Sequence, residues 1–173
     1  TSEVGLYIEG IRGIPAPAYA KMQPGGTKDF GYAKITMTSA EHSSTCQGPQ
    51  GIPVAGGIGV GFVVTIPHHN FAVFYAGPTN IFGDMKLIDG LYSPNVAILP
   101  LGEAQKGMGV REAAYAVKNL LPTPKTIIPM VFSTMGYETA TFANFKEECE
   151  KAGVEGKELL NPSDFLKSKA VLE

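Results

Sequence analysis

The chain has 173 residues, 44% of them apolar and only 17% charged, with a formal net charge of −2. That length supports one domain with a real core, and the charge content lies below the about 25% of an ordinary soluble domain, so part of the surface is expected to be covered. No cluster of Lys and Arg exists to neutralise phosphates, which excludes nucleic acid as a partner, and no apolar run approaches the ~20 residues of a membrane helix.

The first 25 residues are rich in Gly and Pro and read as an irregular lead-in or one short helix, ending in the turn Pro24-Gly25-Gly26. The start, TSEVGLYIEGIRG, has no basic n-region and no long apolar stretch, and is not read as a signal peptide. Ile35 and Met37 alternate with polar neighbours over 34–38, as in a half-buried strand. From Gln47 to Gly61 the chain carries six glycines and two prolines, which predicts a long loop. Strands over 62–66 and 71–75 flank Pro67-His68-His69-Asn70, a hairpin turn.

Further on, the apolar runs 96–101 and 126–132 read as strands buried on both faces. Between them, Ala113, Ala114, Val117, Leu120 and Leu121 repeat at helical spacing, so a helix is expected over 110–121, stopped by Pro122 and Pro124. A second helix spans 142–152 with Phe142, Phe145 and Cys149 on one face and Gly153 just past its end. Asn161-Pro162 starts a last short helix with Asn161 as N-cap. Hairpins first and alternating strands and helices afterwards predict an α/β (α+β) fold, a mixed sheet with helices on one face. Cys46 and Cys149 match no CxxC spacing and read as plain thiols of a reducing, intracellular compartment.

Several residues invite a chemical reading. Ser43 and Ser44 lack a Gly-x-Ser-x-Gly elbow and are not read as nucleophiles. Gly56-Gly57-Ile58-Gly59-Val60-Gly61 precedes a strand, not a helix, so it is not a dinucleotide fingerprint. His68 and His69 read as part of a solvated turn.

Four ordered segments carry a resemblance: PGGTKDFGYAKITMTSAEHSS, FAVFYAGPTNIFGDMKLI, NVAILPLGEAQKGMGVREAAYAV and IIPMVFSTMGYETATFANFKEECEKAGVE. Together they resemble the metallo-β-lactamase superfamily, in a branch of metal-dependent hydrolases similar to the ascorbate-6-phosphate lactonase group. The resemblance implies that the whole chain is a single domain, the C-terminal portion of an αββα sandwich whose two metals are held by His and Asp at the sheet edge. It aligns His42 with one metal ligand. It places Pro78 where the family has its bridging aspartate, Val131 at the last histidine and Tyr75 at the histidine of "Y-H-A-G-D-T". Thr79 and Asp84 fall at the family's helix start, as expected caps. The family's "H-x-H-x-D-H" signature has no counterpart in these residues.

These departures lead to the expectation of a non-catalytic accessory subunit. It binds no cofactor, His42 is a vestigial metal ligand, and zinc enters only if a missing N-terminal half supplies the other ligands. Its uncovered sheet is expected to be covered by a protein partner or by that missing half. The alternative is a fragment or split half of a zinc-dependent hydrolase that keeps His42. A third reading is a small-molecule binding module lined by Tyr75, Met108 and Phe132.

Overall fold

The computed structural model describes residues 1–15, 19–102, 107–130 and 140–164. Seven strands form one sheet among these residues, in the order β1-β2-β3-β4-β5-β6-β7. They are β1 (Thr27–Asp29), β2 (Lys34–Gln47), β3 (Pro53–Ile66), β4 (Phe71–Tyr75), β5 (Val96–Pro100), β6 (Thr126–Met130) and β7 (Glu158–Leu159). Neighbours from β1 to β4 are antiparallel, and those from β4 to β7 are parallel. Helices α1 (Ser2–Arg12), α2 (Met85–Tyr92), α3 (Val110–Asn119) and α4 (Phe142–Lys151) accompany them.

Register sorts the side chains into two faces, because residues directly opposite across a ladder point the same way. One cross-sheet row runs Thr36, Val63, Phe74, Ala97, Ile127. Its last four members are fully buried, together with Met85 of α2, Val117 of α3 and Phe145 of α4, so α2, α3 and α4 cover this face. Each large side chain removed from water here contributes about 1.5–3 kcal/mol. Ala113, Ala114 and Ala116 are buried in this core and keep α3 slim, and α3 packs against α4. The next row, Met37, Phe62, Tyr75, Ile98, Ile128, points to the opposite face. It is as apolar as the first, yet Phe62, Ile98 and Ile128 are only half-buried and Tyr75 is exposed. The mixed sheet with helices on one face is thus as expected.

The long loop expected over 47–61 is a correction. It is instead the far end of a hairpin, in which β2 runs nine residues past 38 and β3 begins at Pro53. Its glycines are set by tertiary contacts. A side chain on Gly61 would stand 2.8 Å from the carbonyl oxygens of Tyr75 and Ala76, and one on Gly56 would stand 2.7 Å from Ser44 Oγ. Within the lead-in, Ser2–Arg12 is helical. Thr1 Oγ1 accepts from the Val4 amide, and Gly13 closes the helix in the left-handed region. The helix rests on the hairpin: Thr1 Oγ1 donates to the Gly56 carbonyl at 3.2 Å and Tyr7 Oη to that of Gln47 at 2.6 Å.

β4, β5, β6, α3 and α4 fall within a residue or two of their expected ranges, and Val131 and Phe132 lie outside the described residues. α4 ends as Gly153 implied. Its amide donates to Glu150 O and that of Val154 to Cys149 O, the double bond pattern of a left-handed glycine stop. Asn161 Oδ1 accepts from the Ser163 amide, as an N-cap does.

Candidate functional site

The site is built where β2 leaves the ladder. Pairing with β3 passes from Ser39↔Val60 to Ser43↔Ile58, so Ala40, Glu41 and His42 stand opposite Gly59 alone. A bulge of this kind re-aims side chains at a sheet margin. Glycine is required opposite it, since a Cβ on Gly59 would come 2.8 Å from His42 O and 3.0 Å from Ala40 O.

The chain leaving β4 reaches across to this bulge. It turns at Gly77, whose φ of 69° suits glycine, and a Cβ there would collide with the Val60 carbonyl oxygen. The Glu41 amide then donates to Thr79 Oγ1 at 2.8 Å, and the Asn80 amide donates to Glu41 O at 3.0 Å. Thr79 Oγ1 donates in turn to Asn80 O at 2.7 Å, and the Met108 amide donates to Thr79 O at 3.1 Å. Gly102 donates to Met108 O, and Leu101 donates to Met130 O at the end of β6. The bulge, the segments after β4 and β5 and the last residue of β6 are therefore joined by one chain of hydrogen bonds, at the C-terminal ends of the parallel strands.

His42 projects from the bulge and is exposed. Its Nδ1 lies 2.6 Å from Ser43 O, and a carbonyl only accepts, so Nδ1 is the donor; in the neutral ring this leaves the Nε2 lone pair free to bind. An open cleft of about 500 Å³ adjoins it, lined by Ser39, Glu41, His42, Ser44, Gly57 and Ile58.

The sequence-derived candidates divide clearly. The segments of His42 and Pro78 are brought together through Glu41 and Thr79, as the aligned motifs implied. Pro78 is exposed and offers no donor. Val131 lies outside the described residues. His68 and His69 form the β3–β4 turn, at the opposite end of β4 from the bulge. Thr79 does not cap α2, because its hydroxyl is committed to Glu41 and Asn80, and Asp84 holds the N-cap position without a side-chain bond. Tyr75 and Met108 do not face one another: Met108 is fully buried in the core with the helices, and Tyr75 points to the other face; Phe132 lies outside the described residues. Thr79 as a hub was missed: its bonds to Glu41 and Met108 run to residues remote in sequence.

A catalytic metal takes about three protein ligands. Among the described residues no three of His, Cys, Asp and Glu come together. His42 is one suitable donor, and the described residues do not by themselves fit a metal.

Comparison with known proteins supplies the context. No family model matches the chain. It is 39% identical over 148 residues to a UPF0173 metal-dependent hydrolase of Methanosarcina barkeri, covering 86% of this chain and 60% of that one. It is 36% identical over 164 residues to one of Methanoregula boonei, covering 95% and 69%. The chain thus spans about three fifths to two thirds of the length of these relatives. Among solved structures, a metallo hydrolase of Ignicoccus hospitalis matches with a TM-score of 0.64 at 28% identity, over 82% of this chain and 56% of that one. The metallo-β-lactamase fold protein YhfI of Bacillus subtilis matches with a TM-score of 0.58 at 15% identity, over 89% and 56%, a likeness of fold.

These relatives overturn three expectations: the non-catalytic accessory subunit, the absence of enzyme activity and the absence of a metal cofactor. Relatives at this identity are metal-dependent hydrolases. The physical error lay in treating missing donors as lost donors, although the chain represents only part of the relatives' length. The chain belongs to the UPF0173 family of metal-dependent hydrolases and has the metallo-β-lactamase fold.

Proposed function

We propose that the protein is a metal-dependent hydrolase in which His42 supplies one metal donor through Nε2, the rest of the set coming from outside the described residues. The observation that carries this reading is the bulge at Ala40–His42. It presents a histidine of defined tautomer beside an open cleft, at the strand ends where α/β sheets place their sites. Family membership supports the same reading. The incompletely covered apolar residues Phe62, Tyr75, Ile98 and Ile128 of one row support a second layer of polypeptide on that face, apolar on its inner side, because a bare apolar sheet is a liability in water. Cys46 and Cys149 are both unpaired, which supports a reducing, intracellular compartment.

The test uses the full-length protein, stripped of metal and reloaded with zinc or manganese, against lactone, ester and phosphodiester substrates. Metal-dependent turnover is expected on at least one class. His42→Ala should lower it by about 100-fold together with metal content, while His68→Ala leaves both unchanged. Absence of turnover with every metal and substrate, or an unaffected His42→Ala variant, refutes the reading.

A further inference from the structure

We propose that Thr79 is the positioning residue that holds His42 in its working orientation, through the bulge rather than by touching the imidazole. The argument starts from what the sheet does not do. Ala40, Glu41 and His42 have no register partners on β3 beyond Gly59, so the ladder does not set their conformation. Glu41, the middle residue, has both backbone groups tied elsewhere: its amide to Thr79 Oγ1 and its carbonyl to the Asn80 amide. Thr79 is 1% exposed, so water does not compete for its hydroxyl. That hydroxyl uses its single proton on Asn80 O and a lone pair on Glu41 N, which satisfies it and fixes its rotamer. Its carbonyl accepts from Met108, whose side chain is fully buried in the core. The bulge is therefore referenced to the core under the helices, and His42 follows Glu41 directly in the chain.

The inference rests on the proposed role of His42 for its kinetic consequence, but not for its structural one. Thr79→Ser and Thr79→Ala both remove the methyl group, and only Ser keeps the hydroxyl, so the pair isolates the hydrogen bonds. In the full-length protein, Thr79→Ala should speed exchange of the Glu41 amide by about tenfold or more. It should also replace the single Nδ1–H tautomer of His42, seen in long-range proton–nitrogen spectra, with a mixture. Exchange of the Ile127 amide, in the centre of the sheet, should stay within about twofold. In the kinetics, kcat should fall by about 10–100-fold with KM within threefold, since small misplacements of a working group cost about that much. Thr79→Ser should bring Glu41 exchange and kcat back to within about threefold and restore the single His42 tautomer. The proposal is overturned if Thr79→Ala leaves the Glu41 exchange and the His42 spectrum unchanged. It is equally overturned if Thr79→Ser matches Thr79→Ala, or if Ile127 loses protection in step with Glu41, which would mark a general loss of stability. If no variant and no parent protein shows turnover, the hydrolase reading fails, and the exchange and spectral readouts still decide the role of Thr79.

Discussion

The two ends of the sheet are stabilised in different ways. The parallel end, β4 to β7 with α3 and α4, is held by side chains: Phe74, Leu99, Ile127, Val117 and Phe145 are all fully buried. Its helices carry ordinary solvated faces, such as the Lys151 pairs with Glu147 and Glu148. The antiparallel end, the long β2–β3 hairpin, is held at its far part by backbone approach. Gly56, Gly59 and Gly61 of β3 each admit atoms where a side chain would collide. From Ile35 to Gly83 the only Asp, Glu, Lys or Arg is Glu41. Side-chain packing is graded and tolerates small changes, whereas backbone contact is nearly all-or-none. The candidate site lies on the second kind of support, where geometry is sharp and small changes have local consequences.

Substitutions can break this contrast. The largest effect is expected for Phe145→Ala, which empties a fully buried site between α4 and the sheet. It should cost about 3–5 kcal/mol in denaturant unfolding, with the loss shared by every slowly exchanging amide of the core. A loss confined to α4 would show that the parallel end is less unified than its packing implies. Gly77→Ala comes next, at about 2–4 kcal/mol, because its φ of 69° and its approach to Val60 O both penalise a Cβ. Here the change should concentrate at Val60, Gly61 and Thr79, and equal loosening around Phe145 would erase the distinction between the two ends.

The mildest test needs no substitution, because each region carries one cysteine. Burial pushes the Cys149 thiol up to about 11, with the Glu148 and Glu150 carboxylates adding to it. Since the pKa is raised, the thiolate is scarce below it, roughly one part in 1,000 at pH 8. Cys46 sits half-buried in the hairpin. Aromatic disulfide reagents at pH 8 should label Cys46 at least about 100-fold faster than Cys149, and denaturant should abolish the difference. Comparable native rates would mean that α4 opens as readily as the hairpin.

Legibility in the sequence followed the same divide. α3 and α4 were readable because apolar residues at helical spacing bury one face whatever the partner, and β4, β5 and β6 because short apolar runs between helices have few other fates. Gly153 and Asn161 were readable because capping chemistry is local. The far half of the hairpin was not readable. In the sequence alone, Gly56, Gly57, Gly59 and Gly61 are indistinguishable from a flexible loop; as strand residues they are closely approached by Ser44, by Thr1 and Glu3, by His42 and by Ala76 in turn.

What the sequence by itself determined is therefore the order and type of the periodic elements, the sidedness of the helices, and a family resemblance that aligned His42 with a metal ligand. Those depend on spacing along the chain, and spacing is written in the residues. Only the tertiary structure decided that Ala40–His42 bulge out of the ladder, that Thr79 secures the bulge instead of capping α2, and that Tyr75 and Met108 face opposite sides of the sheet. Each of these depends on atoms brought together from 15 or more residues apart, and a hydrogen bond or a collision of that kind leaves no periodic mark in the chain that makes it.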